Sequence, residues 1–384
     1  MLLRMLWRNV FRHKLRAGLT LAGITIAILA FGMLRTVIDA WYAGVEGSSS
    51  TRLVTRNAIS LVFSLPPFYR ERIRQVEGVM DVSQGTWFGG IYIEPKNFFV
   101  NFAMSLPDYL ALYPEFLIDS DQRAALLRDR KGTLVGKKLA NQFGWKLGDT
   151  ITLKGTIFPG DWPLTIRAIY RGRDPTVDET QLIFHWDYLN ETMKRTIPAY
   201  ANQIGFFVIG IKDAKQAAQV AATIDQQFKN SNAETLTETE KAFQLSFVSM
   251  IEAIIDAIRL VSIVVIVIIL AVVANTMAMS VRERLWEYAV FKTLGFGGWQ
   301  IAGLIFGESL VLTLIGGGLG IALTFPAAAM FRQAVGQFFP IFEVSPLTMQ
   351  LSLAAAVTVG VLAALFPARQ AVRVRIADGL RRLG

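Results

Sequence analysis

The chain has 384 residues, of which 53% are hydrophobic and 18% charged, with a mean hydropathy of +0.40 and a formal net charge of +9. So apolar a composition exceeds that of an ordinary soluble protein and points to membrane spans. With no cysteine and two histidines, His13 and His185, the sequence excludes disulfides, thiol catalysis, Cys-based zinc or iron–sulfur sites and a His-rich metal centre.

Residues 1–17 are a basic segment carrying Arg4, Arg8, Arg12, Lys14 and Arg16. Gly18–Val37 is the first apolar run, and with the turn after it (18–40) it predicts a span and the start of a stalk. Its apolar length exceeds the ~7–15 residues of a signal-peptide core, and no A-x-A site follows, so it is read as retained. Arg35 and Asp39 are spaced to pair on one helical face, and Trp41 and Tyr42 suit an interface belt.

Residues 41–245 are long enough for a domain with its own core. Short alternating runs such as AISLVFSL, DTITLKG and NQIGFFVIGI, separated by Gly, Pro and Asp, predict strands. PPFYRERIRQVEG and DAKQAAQVAATIDQQF predict helices, the latter with Asp213 as N-cap. The expected division is a core over about 50–105 and 180–240 with a β-rich insert over about 106–179. Thr237 and Glu240 have capping-box spacing, and the helix they open is expected to run unbroken through a stalk into the second span (246–280, apolar over Leu260–Ala278).

Residues 281–300 form a loop, followed by a third span (301–324, apolar over Ile301–Ala322), a short loop (325–348) and a fourth span (349–368, apolar over Leu351–Phe366). The tail 369–384 carries Arg369, Arg373, Arg375, Arg381 and Arg382. Arg282, Arg284 and Lys292 lie in the 281–300 loop, whereas the 325–348 loop has only Arg332. By the positive-inside rule both termini and the 281–300 loop are expected in the cytoplasm, and residues 41–245 on the outer side of the membrane, in a periplasm-like space. The positive charge is thus a topology signal and an attraction to anionic membrane lipid, and its placement argues against nucleic acid.

No catalytic set emerges. GTLVGKK at 132–138 lacks the spacing of a phosphate-binding loop and reads as a strand leading into a helix. Gly303 and Gly307, Gly316 and Gly320, and Ala356 and Gly360 are each four apart, a spacing that lets helices pack closely in lipid. Asp119 with Asp121 and Asp178 with Glu179 suit turns. Glu308 is the one acid inside a predicted span, where a functional, snorkelling or interhelical role is open. The spans hold no continuous charged lane for an ion or proton.

The 281–300 stretch, VRERLWEYAVFKTLGFGGWQ, carries more apolar surface than a solvated loop, in Leu285, Trp286, Val290, Phe291 and Leu294. Glu283 and Glu287 are four apart with Arg284 between, and Gly295 supplies a helix stop. Two readings follow: a helix gripped by spans on one side and another protein on the other, or an interfacial helix without a partner.

This run resembles the signature of FtsX/MacB-like ABC transporter permeases, E-R-x-x-E-I-G-x-L-[KR]-A-L-G-A, with Glu283, Arg284, Glu287, Lys292, Leu294, Gly295, Gln300 and Ile301 in register; Tyr288, Ala289, Phe291, Thr293 and Phe296 depart from it. RNVFRHKLRAGLTLAGITIAI, VGKKLANQFGWKLGDTITLKG and FPARQAVRVRIADGLR resemble the family's opening, an element of its outer domain and its ending, with Ile376 and Asp378 replacing proline and glutamate in the last. The resemblance implies four transmembrane α-helices with a large α+β periplasmic domain between spans 1 and 2. It also implies a non-enzymatic permease subunit with no cofactor of its own, ATP and Mg being bound by a separate ABC ATPase. The partners implied are that ATPase, a second copy or related permease, and a periplasmic adaptor. Glu283, Arg284, Trp286, Glu287, Lys292, Leu294 and Gly295 become the expected ATPase-coupling residues. Export or extraction of a peptide, lipid, lipoprotein or other amphiphile is the leading function. The alternatives are a mechanotransmitter regulating a periplasmic enzyme such as a cell-wall hydrolase, and a solitary receptor.

Overall fold

The computed structural model describes residues 12–374, apart from residues 98, 336–338 and 340. Arg4, Arg8, Arg375, Ile376, Asp378, Arg381 and Arg382 therefore lie outside the described residues. Two compact units make up the chain: one of residues up to 40, 251–334 and from 342 on, the other of residues 41–250 and 335–341.

In chain order, α1 (Lys14–Glu46) is followed by β1 (Arg52–Asn57), α2 (Tyr69–Arg74), β2 (Val79–Trp87), β3 (Ile91–Tyr92), β4 (Asn101–Met104), α3 (Leu106–Leu112), β5 (Phe116–Leu117), α4 (Ser120–Arg128) and β6 (Gly132–Gly136). Then come α5 (Lys137–Phe143), β7 (Thr150–Gly155), β8 (Gly160–Gly172), β9 (Leu182–His185), α6 (Trp186–Thr196), β10 (Phe206–Ile211), α7 (Ala217–Gln227), β11 (Thr235–Thr239) and α8 (Glu240–Ser249). The chain closes with α9 (Glu252–Glu283), α10 (Leu285–Thr293), α11 (Gly298–Val335) and α12 (Pro346–Arg373).

The 41–250 unit is α+β. Its strands form one sheet in the order β11-β1-β10-β2-β4-β9-β6-β8-β7-β3, with β5 pairing β8 off that path. The pairs β4–β9 and β6–β8 are parallel and the others antiparallel. Strand β8 shows why this sequence makes a sheet. Trp162, Leu164, Ile166, Ala168 and Tyr170 are buried at every second position, the period of a strand. A bulge opposite Thr133 and Leu134 adds one residue to β8, and there the strand passes from a core containing Trp162, Leu164 and Ile166 to one containing Ala168 and Tyr170. Residues 106–179, expected as an insert, hold α3–α5 and β5–β8; β9 lies between β4 and β6 and joins them to the same sheet.

Three local expectations need correction. Residues 58–65, AISLVFSL, form no strand: Asn57 and Ser60 accept from the amides of Ile59 and Val62 and turn the chain, and only Leu65 bridges to Ile204. Thr237 is not a helix cap: it lies in β11, its hydroxyl donating to Asp225 Oδ1 at 2.7 Å. Thr239 caps α8 instead, accepting from Ala242 N at 3.1 Å. Nor is the helix continuous into the second span, because α8 ends at Ser249 and α9 begins at Glu252. Ser246 and Ser249 donate back to the carbonyls of Phe243 and Ser246, the local competition by which serine weakens a helix.

The other unit supplies four helices long and apolar enough to cross a membrane, over Lys14–Ala43, Glu252–Glu283, Gly298–Arg332 and Pro346–Arg373. Each contains an expected apolar run. The fourth helix runs past Pro367, which sits inside α12, and begins at a cap where Ser345 accepts from Thr348 N. Small residues set two crossings. A Cβ on Gly316 or Gly320 would lie 2.8 Å from Ile24 or Ile28 of α1, so α11 and α1 meet backbone against side chain. Gly360 of α12 lies against Thr313, its carbonyl accepting from Ser309 at 2.7 Å, and Ala356 meets Gly317. A Cβ on Gly303 would meet nothing within 4 Å, so Gly303 marks no crossing among the described residues; Gly307 is half-buried. Asp39 accepts from the hydroxyls of Ser345 and Thr348, fastening α1 to the start of α12.

Candidate functional site

The 281–300 stretch folds as a short helix between two long ones, and its turns follow from its residues. Gly295 adopts φ +91°, a left-handed conformation suited to glycine. Phe296 N then donates to Phe291 O and Gly295 N to Lys292 O, and the Phe291 and Phe296 rings meet at 5.4 Å. These are the two hydrogen bonds and the hydrophobic contact of a Schellman stop. The next helix starts with Gln300 reaching back to accept from Gly297 N at 2.7 Å, half of a capping box.

One side of α10 is fastened by polar groups. Arg284, at the junction of α9 and α10, donates from Nε to Glu287 at 2.9 Å and from a terminal nitrogen to Glu308 of α11 at 2.6 Å. Glu287 also receives Arg12. Glu283 is held by two hydrogen bonds from Arg16, at 2.8 and 2.7 Å. Lys292 donates to the carbonyls of Val372 and Val374, where α12 leaves its last carbonyls open. Tyr288 is buried beneath the helix, and the Arg284 guanidinium lies 5.4 Å from its ring centre.

A set of apolar side chains on α10, the turn after it and the start of α11 is bare. Trp286 is 44% exposed, Leu294 70% and Trp299 79%, with Phe296 exposed beside them. The expected coupling residues therefore divide: Arg284, Glu287 and Lys292 are buried or half-buried against partners in the chain, Glu283 is exposed but paired with Arg16, Gly295 shapes the turn, and Trp286 and Leu294 face outward. Glu308 and its pairing with Arg284 lay outside the expected coupling set. A lone acid in an apolar run and an arginine at a helix junction were the available signals.

Burial acts to raise the Glu287 carboxyl, but hydrogen bonds from Arg12 and Arg284 outweigh it and hold the group below the usual carboxylate range. Its attachment is thus complete above the ordinary glutamate pKa of about 4.3 and is lost as pH falls through the lower folded value. Hydrogen exchange of α10, corrected for intrinsic rates, should be unchanged from pH 7 to 5 and rise only in stronger acid. Loosening already at pH 5–6 would contradict this arrangement.

Two family models match the chain: the MacB-like periplasmic core domain over residues 17–227, and the FtsX-like permease C-terminal domain over residues 259–376. An uncharacterized ABC transporter permease of Methanocaldococcus jannaschii is 23% identical over 98% of this chain and 96% of its own length. The macrolide export ATP-binding/permease protein MacB of Photorhabdus laumondii is 22% identical over 98% of this chain, and that of Shewanella sp. (strain ANA-3) 26% identical over 59%. The matches span 60% and 34% of those two proteins. Among solved structures, the periplasmic region of MacB from Actinobacillus actinomycetemcomitans aligns with 53% of this chain and 95% of its own, at 8% identity and a TM-score of 0.38.

Proposed function

Because the chain belongs to the FtsX/MacB-like family of ABC transporter permeases, we propose that it is the subunit through which an ABC ATPase drives the 41–250 domain. In this reading α10 is the coupling helix, the termini and α10 are cytoplasmic, the α+β domain is periplasmic, and the membrane is the bacterial inner membrane. The permease works as a pair with a second copy or a related chain, and a periplasmic adaptor completes the assembly. The cargo is an amphiphile (a peptide, lipid or lipoprotein) exported or extracted without a pore through the spans.

The observation that carries this reading is the bare apolar collar of Trp286 on α10, Leu294 and Phe296 at the turn after it and Trp299 at the start of α11, beside a helix fastened to the rest of its unit. Aromatic side chains in such a position are typical anchors for a partner groove. The pore-free reading is supported by four buried hydroxyls of the described spans. Thr36, Ser262, Thr324 and Ser352 each donate to the carbonyl four residues earlier, leaving no lane of free polar groups among them.

Glu283→Lys and Glu287→Lys would disturb the chain's own ion pairs, so the decisive variants lie in the bare collar. Trp286→Ala combined with Leu294→Lys should reduce co-purification with the co-expressed ATPase by at least about tenfold, a loss of ~1.4 kcal/mol or more. Membrane insertion should be unaffected. Undiminished association would mean that α10 is a partnerless interfacial helix.

A further inference from the structure

Side chains, more than backbone, hold α10 in place. At its start Arg284 has φ −110° and ψ 14°, outside helical geometry. At its end Gly295 and Gly297 stand between it and α11, which opens on Gly298. Connections of this kind absorb backbone rotation and transmit little of it. Three side-chain ties bridge the breaks: Glu287 to Arg12, Lys292 to the carbonyls ending α12, and Arg284 to Glu308 in α11.

The third tie is different in kind. The Arg12 side chain is 54% exposed, which places its pair among surface ion pairs of small energy. Lys292 meets neutral carbonyls. Arg284 and Glu308 are both buried, with side-chain exposures of 9% and 5% and a separation of 2.6 Å. Glu308 is ten residues into α11 from Gly298, about 15 Å along the axis at ~1.5 Å per residue. The grip is therefore well inside the helix and not on its first turn. A buried ion pair adds little stability over apolar residues of equal volume. Fold stability alone does not account for an acid at this depth. What two desolvated charges supply is a fixed separation, costly to stretch.

We infer that Arg284 and Glu308 are a positioning pair that carries displacement of α10 into α11. This rests on the reading of α10 as the coupling helix. Motion of the coupling helix then enters the third span through a side-chain strut, with the glycine turn following passively.

The natural absence of cysteine allows single spin labels without background. Thr293→Cys places one on α10 and Met330→Cys one far along α11, both at exposed positions. The full chain with its ATPase is compared without nucleotide and with a non-hydrolysable ATP analogue. In the otherwise unaltered chain both labels should respond. In Glu308→Gln the label at 293 should still respond and the label at 330 should lose its response. ATPase affinity should stay within about twofold, because buried Glu308 is not among the bare side chains offered to the ATPase. Glu308→Asp should restore part of the response at 330. A full response at 330 in Glu308→Gln overturns the pair as carrier while leaving the coupling helix intact. No response at either label in the unaltered background overturns the coupling-helix reading and the pair with it. If Glu308→Gln fails to insert, Glu308→Asp alone decides: a diminished response at 330 with 293 intact supports the strut, and equal responses overturn it.

Discussion

Glu240→Ala should destabilise the α+β domain by about 3 kcal/mol, near the lower end for removal of one partner from a buried ion pair. Glu240 is buried at the first turn of α8 and accepts from Arg52 Nε, Ser49 N and Tyr113 Oη, each at 2.8 Å. Arg52 is further held by Glu115 at 2.7 Å and lies 4.1 Å from the centre of the Tyr113 ring. Burial works to lower the Arg52 pKa, and Glu240, Tyr113 and Glu115 together outweigh it and raise it. Truncation would leave the guanidinium with one carboxylate and strand a buried hydroxyl and an amide. Thermal unfolding of the full chain in detergent should show the domain melting about 6–12 °C earlier. Glu240→Gln, which keeps acceptors in place, should lose less. Glu238→Ala, removing the less buried pair with Arg56, should cost under about 1 kcal/mol. A melting point for Glu240→Ala equal to that of Glu238→Ala would refute the cluster's importance. Its position also matters for mechanism: Ser49 and Arg52 follow α1 and Glu240 opens α8, so one carboxylate joins the chain entering the domain to the chain leaving it.

The second large effect is expected at the crossing of α1 and α11. Gly316→Leu with Gly320→Leu would place side chains where a Cβ alone comes within 2.8 Å of Ile24 and Ile28 and, for Gly320, of the Thr25 carbonyl. Neither helix can recede without exposing Thr25, whose hydroxyl donates to Gly316 O at 3.2 Å. Overpacking typically costs about 1–3 kcal/mol per site, so the double variant should lose most of its folded yield in membranes. Gly303→Leu enters open space and should be tolerated. Equal yields for the two would show that α1 does not pack on α11 through these glycines.

Much of this architecture was legible from local pattern. Apolar runs of span length, alternation in strands such as DTITLKG, and the Gly295 stop each depend on neighbours a few residues away. What stayed hidden depends on distant partners. Arg284 and Glu308 are 24 residues apart, and Arg12 and Glu287 are 275 apart. No periodicity links them, so Glu283 and Glu287 read as charges for another protein when the fold pairs them with Arg16 and Arg12. The capping box at Thr237 and Glu240 failed for the same reason: Arg52, 188 residues earlier, claims the glutamate. The packing glycines were partly readable. Spacing alone could not tell Gly316 and Gly320, at a crossing, from Gly303, which faces open space.

The tie between Asp39 and the hydroxyls of Ser345 and Thr348 has a consequence for how the molecule is made. The carboxylate emerges from the ribosome 306 residues before the first of these hydroxyls. Throughout synthesis of the intervening chain it waits at the end of α1, and α12 later supplies these two donors. Chains truncated before that point would leave the carboxylate with Arg35, 3.8 Å away, as its partner and without the two hydroxyls, a mark by which membrane quality control could tell a copy lacking α12 from one that has it.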